Sequence, residues 1–145
     1  MFVVDTNILV YALNQGCQEY EPARNFVDEC RRSTGPWYST WSILYELLRV
    51  TTHPRIFSQP LTAQQAWDFI GLLLESPGLS VLVEGTHHTE VAVSTIQEVK
   101  GLRGNLFHDA HTAILMREHG IRRIYTRDTD FHRFPFLEVL DPLAS

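Results

Sequence analysis

Short apolar segments that alternate with helical patterns constrain this chain more than any other feature. Phe2-Val3-Val4, Trp37-Tyr38-Ser39, Leu79 to Val83 and Arg123-Ile124-Tyr125 have strand chemistry, and Leu137 to Leu140 adds a short final candidate. Between them the sequence predicts a helix from Ile8 capped by Thr6-Asn7, and another over Pro22–Arg32 that stops at Gly35-Pro36. A third covers Ser42–Val50 and is expected to be buried. Thr62 caps a fourth, which carries Ala66, Phe69, Ile70, Leu73 and Leu74 at helical spacing and ends at Pro77-Gly78. Two more span Thr89–Val99 and 108–119, the last closed by Gly120. This alternation implies an α/β fold, a parallel sheet with helices on both faces. No repeat or linker divides the 145 residues, so 1–145 reads as a single domain.

Composition narrows the setting. The longest apolar run, Ile8 to Leu13, falls far short of the roughly 20 residues a membrane-spanning helix needs. The opening Met-Phe-Val-Val-Asp has no basic segment, so no export signal is read and a cytoplasmic protein is expected. Cys17 and Cys30 match no zinc spacing and suit a packing role in a reduced compartment. A net charge of −5 argues against a general nucleic-acid coating protein, yet not against an enzyme on nucleic acid whose own acids hold metal.

Ligands of open parallel sheets gather beyond the carboxyl ends of the strands. Asp5 directly follows the first strand, and Asp128 and Asp130 come just after the strand ending at Thr126. Asp109 opens the last helix, and Glu46 interrupts a helix whose neighbours Leu44, Tyr45, Leu47 and Leu48 are apolar. Each acid has a plainer reading. Asp5 can cap a helix, Asp109 suits a helix dipole, Asp128 and Asp130 suit a turn, and Glu46 can pair with Arg49. Taken together they point further. Two like charges about 4 Å apart repel by about 4 kcal/mol at an effective dielectric near 20, so a converging set needs a cation. Oxygen-only ligands select Mg²⁺ or Mn²⁺, and such a pocket is suited to phosphodiester hydrolysis.

Four motifs in order carry a family resemblance: Val3-Val-Asp-Thr-Asn-Ile-Leu9, Tyr45-Glu-Leu-Leu48, Gly104-Asn-Leu-Phe-His-Asp-Ala-His111 and Thr126-Arg-Asp-Thr-Asp-Phe131. They resemble the motifs of PIN-domain ribonucleases across essentially the whole chain. The stretch Arg103 to His111, Glu118-His119-Gly120 and Asp130 to Pro135 are more narrowly similar to bacterial VapC-type toxins. The resemblance implies an α/β/α sandwich around a parallel sheet, paired into a homodimer. It makes Asp5, Glu46, Asp109 and Asp128 an acidic quartet, with Asp130 auxiliary and Asn7 and Thr126 supporting. It further implies Mg²⁺- or Mn²⁺-dependent endonucleolytic cleavage of RNA, leaving a 5′-phosphate and a 3′-hydroxyl, and neutralisation by a VapB-type antitoxin. Arg49, Arg103, Arg127 and Arg133 are candidates to clamp the RNA backbone, and the sequence does not choose among them.

Other readings remain open at this level. His108 and His111 flank Asp109 and, with His87 and His88 upstream, resemble HD-type phosphohydrolases, which are all-helical. An inactive PIN-like module that binds RNA or protein is a further alternative. A phosphoacceptor receiver domain also clusters acids at a sheet edge, but such domains place a lysine after the last strand, and the only lysine here is Lys100.

Overall fold

The computed structural model describes residues 1–144. Five strands, β1 (Phe2–Val4), β2 (Trp37–Thr40), β3 (Leu79–Leu82), β4 (Arg123–Tyr125) and β5 (Glu138–Leu140), form one wholly parallel sheet in the order β3-β2-β1-β4-β5. Six helices connect and cover it: α1 (Thr6–Tyr11), α2 (Tyr20–Arg32), α3 (Trp41–Thr51), α4 (Ala63–Leu74), α5 (His88–Glu98) and α6 (Leu106–Glu118). A 3-10 turn over Thr129–Arg133 joins β4 to β5.

The sheet order positions the site. From β1 the chain steps outward to β2 and β3, then returns to β4 on the other side of β1. With right-handed crossovers the outward and return connections cover opposite faces, which gives three layers. The reversal falls between β1 and β4, registered Val4 to Tyr125, so their carboxyl ends open the crevice where such sheets bind ligands. Asp5 and Thr126 are the next residues on the two strands. Val3, Val4 and Ile124 are buried beneath them with Trp37, Ile8, Leu44, Leu47, Ala113 and Leu115, so the floor of the crevice is rigid core.

Local chemistry explains most boundaries. Thr62 and Gln65 form the reciprocal capping box that starts α4. Thr40 caps α3 by accepting from the Ile43 backbone N–H at 3.0 Å. Gly120 takes φ 72° just past α6, the left-handed terminator that glycine adopts without strain. Two expectations are corrected. Helix α1 starts at Thr6 with Asp5 as its cap, so Thr6-Asn7 lies inside the first turn. Helix α3 is not buried all round: Ile43, Leu44 and Leu47 face the core, while Tyr45 is 61% exposed and lies beside exposed Trp41, the two rings tilted with centroids 6.3 Å apart. An apolar run one residue too dense for a single face left that side ambiguous in sequence.

Both cysteines are free, and burial pushes the Cys30 thiol up to about 12, as its packing role requires. The two punctuating pairs meet in space. A Cβ on Gly78 would stand 2.1 Å from the Gly35 carbonyl oxygen, beside the bond from the Trp37 N–H to the Gly78 carbonyl. Gly78→Ala is therefore expected to cost about 2–3 kcal/mol by forcing this approach apart. For a chain of this size that is a fall in Tm of roughly 5–10 °C, measurable by calorimetry.

Candidate active site

Asp5 performs two tasks at once. Its Oδ1 accepts from the Thr6 backbone N–H at 2.8 Å and caps α1, while its Oδ2 accepts from the Thr126 hydroxyl at 2.7 Å. The Asn7 amide reaches Asp5 Oδ2 at 3.4 Å and Thr126 Oγ1 at 3.1 Å, and the Arg127 N–H donates to Asn7 Oδ1 at 3.4 Å. Thr126 Oγ1 also accepts from the Asp128 N–H at 2.9 Å. The hydroxyl thus joins the ends of β1 and β4, and Asn7 and Thr126 orient Asp5.

Asp128 Oδ1 accepts from the Asp130 N–H at 2.9 Å and so caps the 3-10 turn. Its turn role and a ligand role are compatible, because a carboxylate has a second oxygen. One carboxylate oxygen each from Asp109, Asp128 and Asp130 lies within 4.8 Å of the others. Oxygens around an octahedral cation at about 2.1 Å stand about 3 Å apart when adjacent and about 4.2 Å when opposite, so this donor set fits a small divalent ion.

Burial and charge repulsion both disfavour ionisation of these carboxyls. Burial, then the charges of Asp128, Asp5 and Asp130, push the Asp109 carboxyl up to about 7. Burial also pushes Asp5 up, against its hydrogen bonds from Thr126 and Thr6, and Asp128 and Glu46 add to the rise. Carboxyls that resist ionising together, in an open groove, are what a cation would relieve.

Glu46 sits differently from expectation. Its side chain is 44% exposed and binds Arg49 through both oxygens, at 2.6 and 3.0 Å, so its carboxyl lies below the usual range chiefly because of that bond. It lines the groove wall and stands outside the three-carboxylate cluster, whereas Asp130 is within it. The helical periodicity that brings Leu44 and Leu47 inward turns Glu46 toward the opening.

The groove has a volume of about 1260 Å³ and is lined by α1, α3, the start of α6 and the turn after β4. Tyr11, Tyr45, Asn105 and Thr112 also line it, although nothing in their local sequence pattern marks them as site residues. Of the four candidate arginines, Arg49 pairs with Glu46, Arg127 with Asp141 at 3.1 Å and Arg133 with Asp130 at 3.6 Å. Arg103 lines the groove with no carboxylate partner among the described residues. His108 also faces the groove, whereas His111 contacts Ser42 and Glu84. The two histidines that flank Asp109 therefore serve different surroundings, and the five-stranded sheet is foreign to the all-helical HD arrangement.

Comparison with known proteins follows the same lines. Ribonuclease VapC48 of Mycobacterium tuberculosis is 31% identical over 140 residues, covering 97% of this chain and 96% of that protein. Ribonuclease VapC24 of the same species is 32% identical, covering 100% of this chain and 99% of that protein. The crystal structure of Mycobacterium tuberculosis VapC20, a sarcin-ricin loop cleaving toxin, superposes with a TM-score of 0.67 at 20% identity over 97% of this chain and 99% of that one. The PIN domain family model matches residues 2–137. The acids at the strand ends, the parallel sheet around them and these matches agree that the chain belongs to the PIN domain family.

Proposed function

We propose that this chain is a Mg²⁺- or Mn²⁺-dependent endoribonuclease of the VapC toxin kind, a single domain acting on RNA in the cytoplasm. The observation that carries the reading is the convergence of Asp109, Asp128 and Asp130, with Asp5 alongside, in a groove that Arg103 also faces. Asp5, Asp109, Asp128 and Asp130 would hold the ion, with Glu46 available for a second. Bound there, the ion supplies Lewis-acid polarisation of a phosphodiester and activation of water at neutral pH.

The chain's own groups do the rest. Thr126 and Asn7 fix the Asp5 carboxylate, and the rigid ends of β1 and β4 keep it in place. Arg103 offers a forked, permanently charged contact to the phosphate backbone. Tyr11 and Tyr45 present aromatic surface on which bases can stack. Cleavage by water in this setting leaves a 5′-phosphate and a 3′-hydroxyl.

A VapB-type antitoxin is the partner read for the toxin, its tail filling the groove. Support comes from relatives named VapC and from a fold neighbour at TM-score 0.67, a structure of VapBC2 from Rickettsia felis bound to a DNA fragment from their promoter. Exposed Trp41 and Tyr45 on α3, and Trp67, Leu72 and Leu74 on α4, supply apolar surface for an antitoxin and for a second copy in a homodimer. No helix among the described residues is long and apolar enough to cross a membrane.

EDTA should stop RNA cleavage by the purified protein, and excess Mg²⁺ or Mn²⁺ should restore it. Cleavage undiminished in chelator would overturn the metal assignment, and RNA left intact at every metal concentration would favour an inactive RNA- or protein-binding module. Sequencing of RNA 5′ ends after brief induction in a bacterial host should show discrete new sites together with growth arrest. Arg103→Ala should weaken RNA binding and reduce the slope of log affinity against log salt by about 1, the signature of one lost phosphate contact. An unchanged slope would remove Arg103 from the interface.

A further inference from the structure

Two positions after Asp109 on α6, and so about 200° around the helix, His111 enters a second cluster of metal-ligating side chains. One ligand atom each from Glu84, His88 and His111 lies within 4.8 Å of the others. We propose that these three residues form a zinc site that fastens the loop between β3 and α5 to α6, independent of the carboxylate groove.

Each ring has a hydrogen-bond partner on its Nδ1, as metal-ligating imidazoles commonly have on the nitrogen that does not bind the ion. His88 Nδ1 meets Glu118 Oε2 at 2.9 Å, so Nε2 is the nitrogen that would bind the ion. His111 Nδ1 meets the Ser42 hydroxyl at 3.2 Å, and its Nε2 faces Glu84 Oε1 at 2.7 Å. The rings stand edge to face with centroids 6.1 Å apart. Glu118 is itself fixed: its side chain is only 6% exposed, and its Oε1 accepts from the Gly85 N–H at 2.7 Å. A Cβ on Gly85 would come within 2.9 Å of that oxygen, so the loop beside Glu84 is fitted to the carboxylate that orients His88.

The donor set separates the two sites chemically. Two imidazoles and one carboxylate are the three-ligand complement of an open zinc site, with the fourth position left to water. Partial exposure of His88, His111 and Glu84 provides that opening. The all-oxygen groove selects harder ions instead. Through Ser42 on α3 and His111 on α6, the bound ion would brace the two helices that carry Glu46 and Asp109.

The test uses the chelator-stripped full chain in excess Mg²⁺, which keeps the carboxylate groove filled, titrated with Co²⁺ as a spectroscopic substitute for zinc and then with Zn²⁺ by calorimetry. One equivalent of Co²⁺ should produce the visible absorption of a four-coordinate ion, and Zn²⁺ should displace it. Asp109→Asn should retain this binding. His88→Ala and His111→Ala should each lose at least tenfold in affinity, and Glu84→Gln, at an exposed position where folding is not at stake, should lose several-fold. Zn²⁺ should raise Tm in the wild type and not in His88→Ala. Absence of the absorption, or wild-type affinity in Glu84→Gln and both histidine variants, would leave His111 and Glu84 as an ordinary surface pair and overturn the site. Loss of Co²⁺ binding in Asp109→Asn would assign the ion to the groove and overturn it as well.

Discussion

Asp109→Asn is expected to lower metal-dependent RNA cleavage by about 10²–10³-fold while the protein stays folded. Removing one ligand charge takes away about 3–4 kcal/mol of the several that a bound ion contributes to the transition state, and each 1.36 kcal/mol is about tenfold in rate. The replacement keeps the volume and leaves in place the hydrogen bonds that hold Asp5 and Asp128, so far-ultraviolet circular dichroism should be unchanged. Asp5→Asn should be at least as damaging. Asp5 accepts on both oxygens, from Thr6 at 2.8 Å and Thr126 at 2.7 Å, and an amide would turn N–H against one of these donors. Single-turnover cleavage of an end-labelled RNA provides the readout. Wild-type rates in either purified variant would sink the assignment of the groove as the catalytic centre. In a bacterial host, expression of the wild type should arrest growth and Asp5→Asn should be harmless; equal toxicity would remove the toxin reading.

Those two residues also show how far the sequence could be read. Asp5 was legible because a carboxylate at the end of a short apolar strand lies where parallel sheets bind ligands, whatever else it does. Asp128 and Asp130 were legible for the same reason, whereas Asp109 opens a helix and was marked only by its motif; in the fold α6 and the turn after β4 bring the three together. Glu46 was harder. Its neighbours Leu44, Tyr45, Leu47 and Leu48 suggested burial, but periodicity assigns a helix face only as well as the apolar residues mark one, and Tyr45 lies at the surface. Its bond to Arg49, three residues on, was the local pairing that helix geometry favours. Long-range meetings left no sequence trace. Nothing within the chain's local pattern brings His88 to His111, or Gly35 to Gly78, because these contacts depend on which strands become neighbours. Arg103 became distinct from the other arginines only when their carboxylate partners were in view.

The metal-free protein should lose stability as pH rises, opposite in sign to the usual behaviour of carboxylates that are paired. In the unfolded chain Asp109 titrates near 3.8, whereas burial and the neighbouring acids push it up to about 7 in the fold. Between those values the folded state keeps a proton that the unfolded chain has released, so stability falls with rising pH and the penalty is complete above the folded value. Asp5, raised in the same direction, adds to the trend. Three pH units would amount to about 4 kcal/mol if fully realised, but Asp109 is only partly buried and solvent screens it, which leaves about 1–2 kcal/mol. In chelator, wild-type Tm should therefore drop by roughly 3–6 °C more between pH 5 and pH 8 than that of Asp109→Asn, which cannot ionise at this position. A divalent ion reverses the penalty by satisfying the ionised acids, so Mg²⁺ should raise Tm more at pH 8 than at pH 5, where it must displace protons first. Parallel Tm–pH curves for wild type and variant would mean that burial and the neighbouring acids do not raise Asp109 in the folded protein. The same burial and repulsion that weaken the metal-free fold are what a bound cation would relieve, so the variant that is stabilised at pH 8 is also the one expected to be inactive.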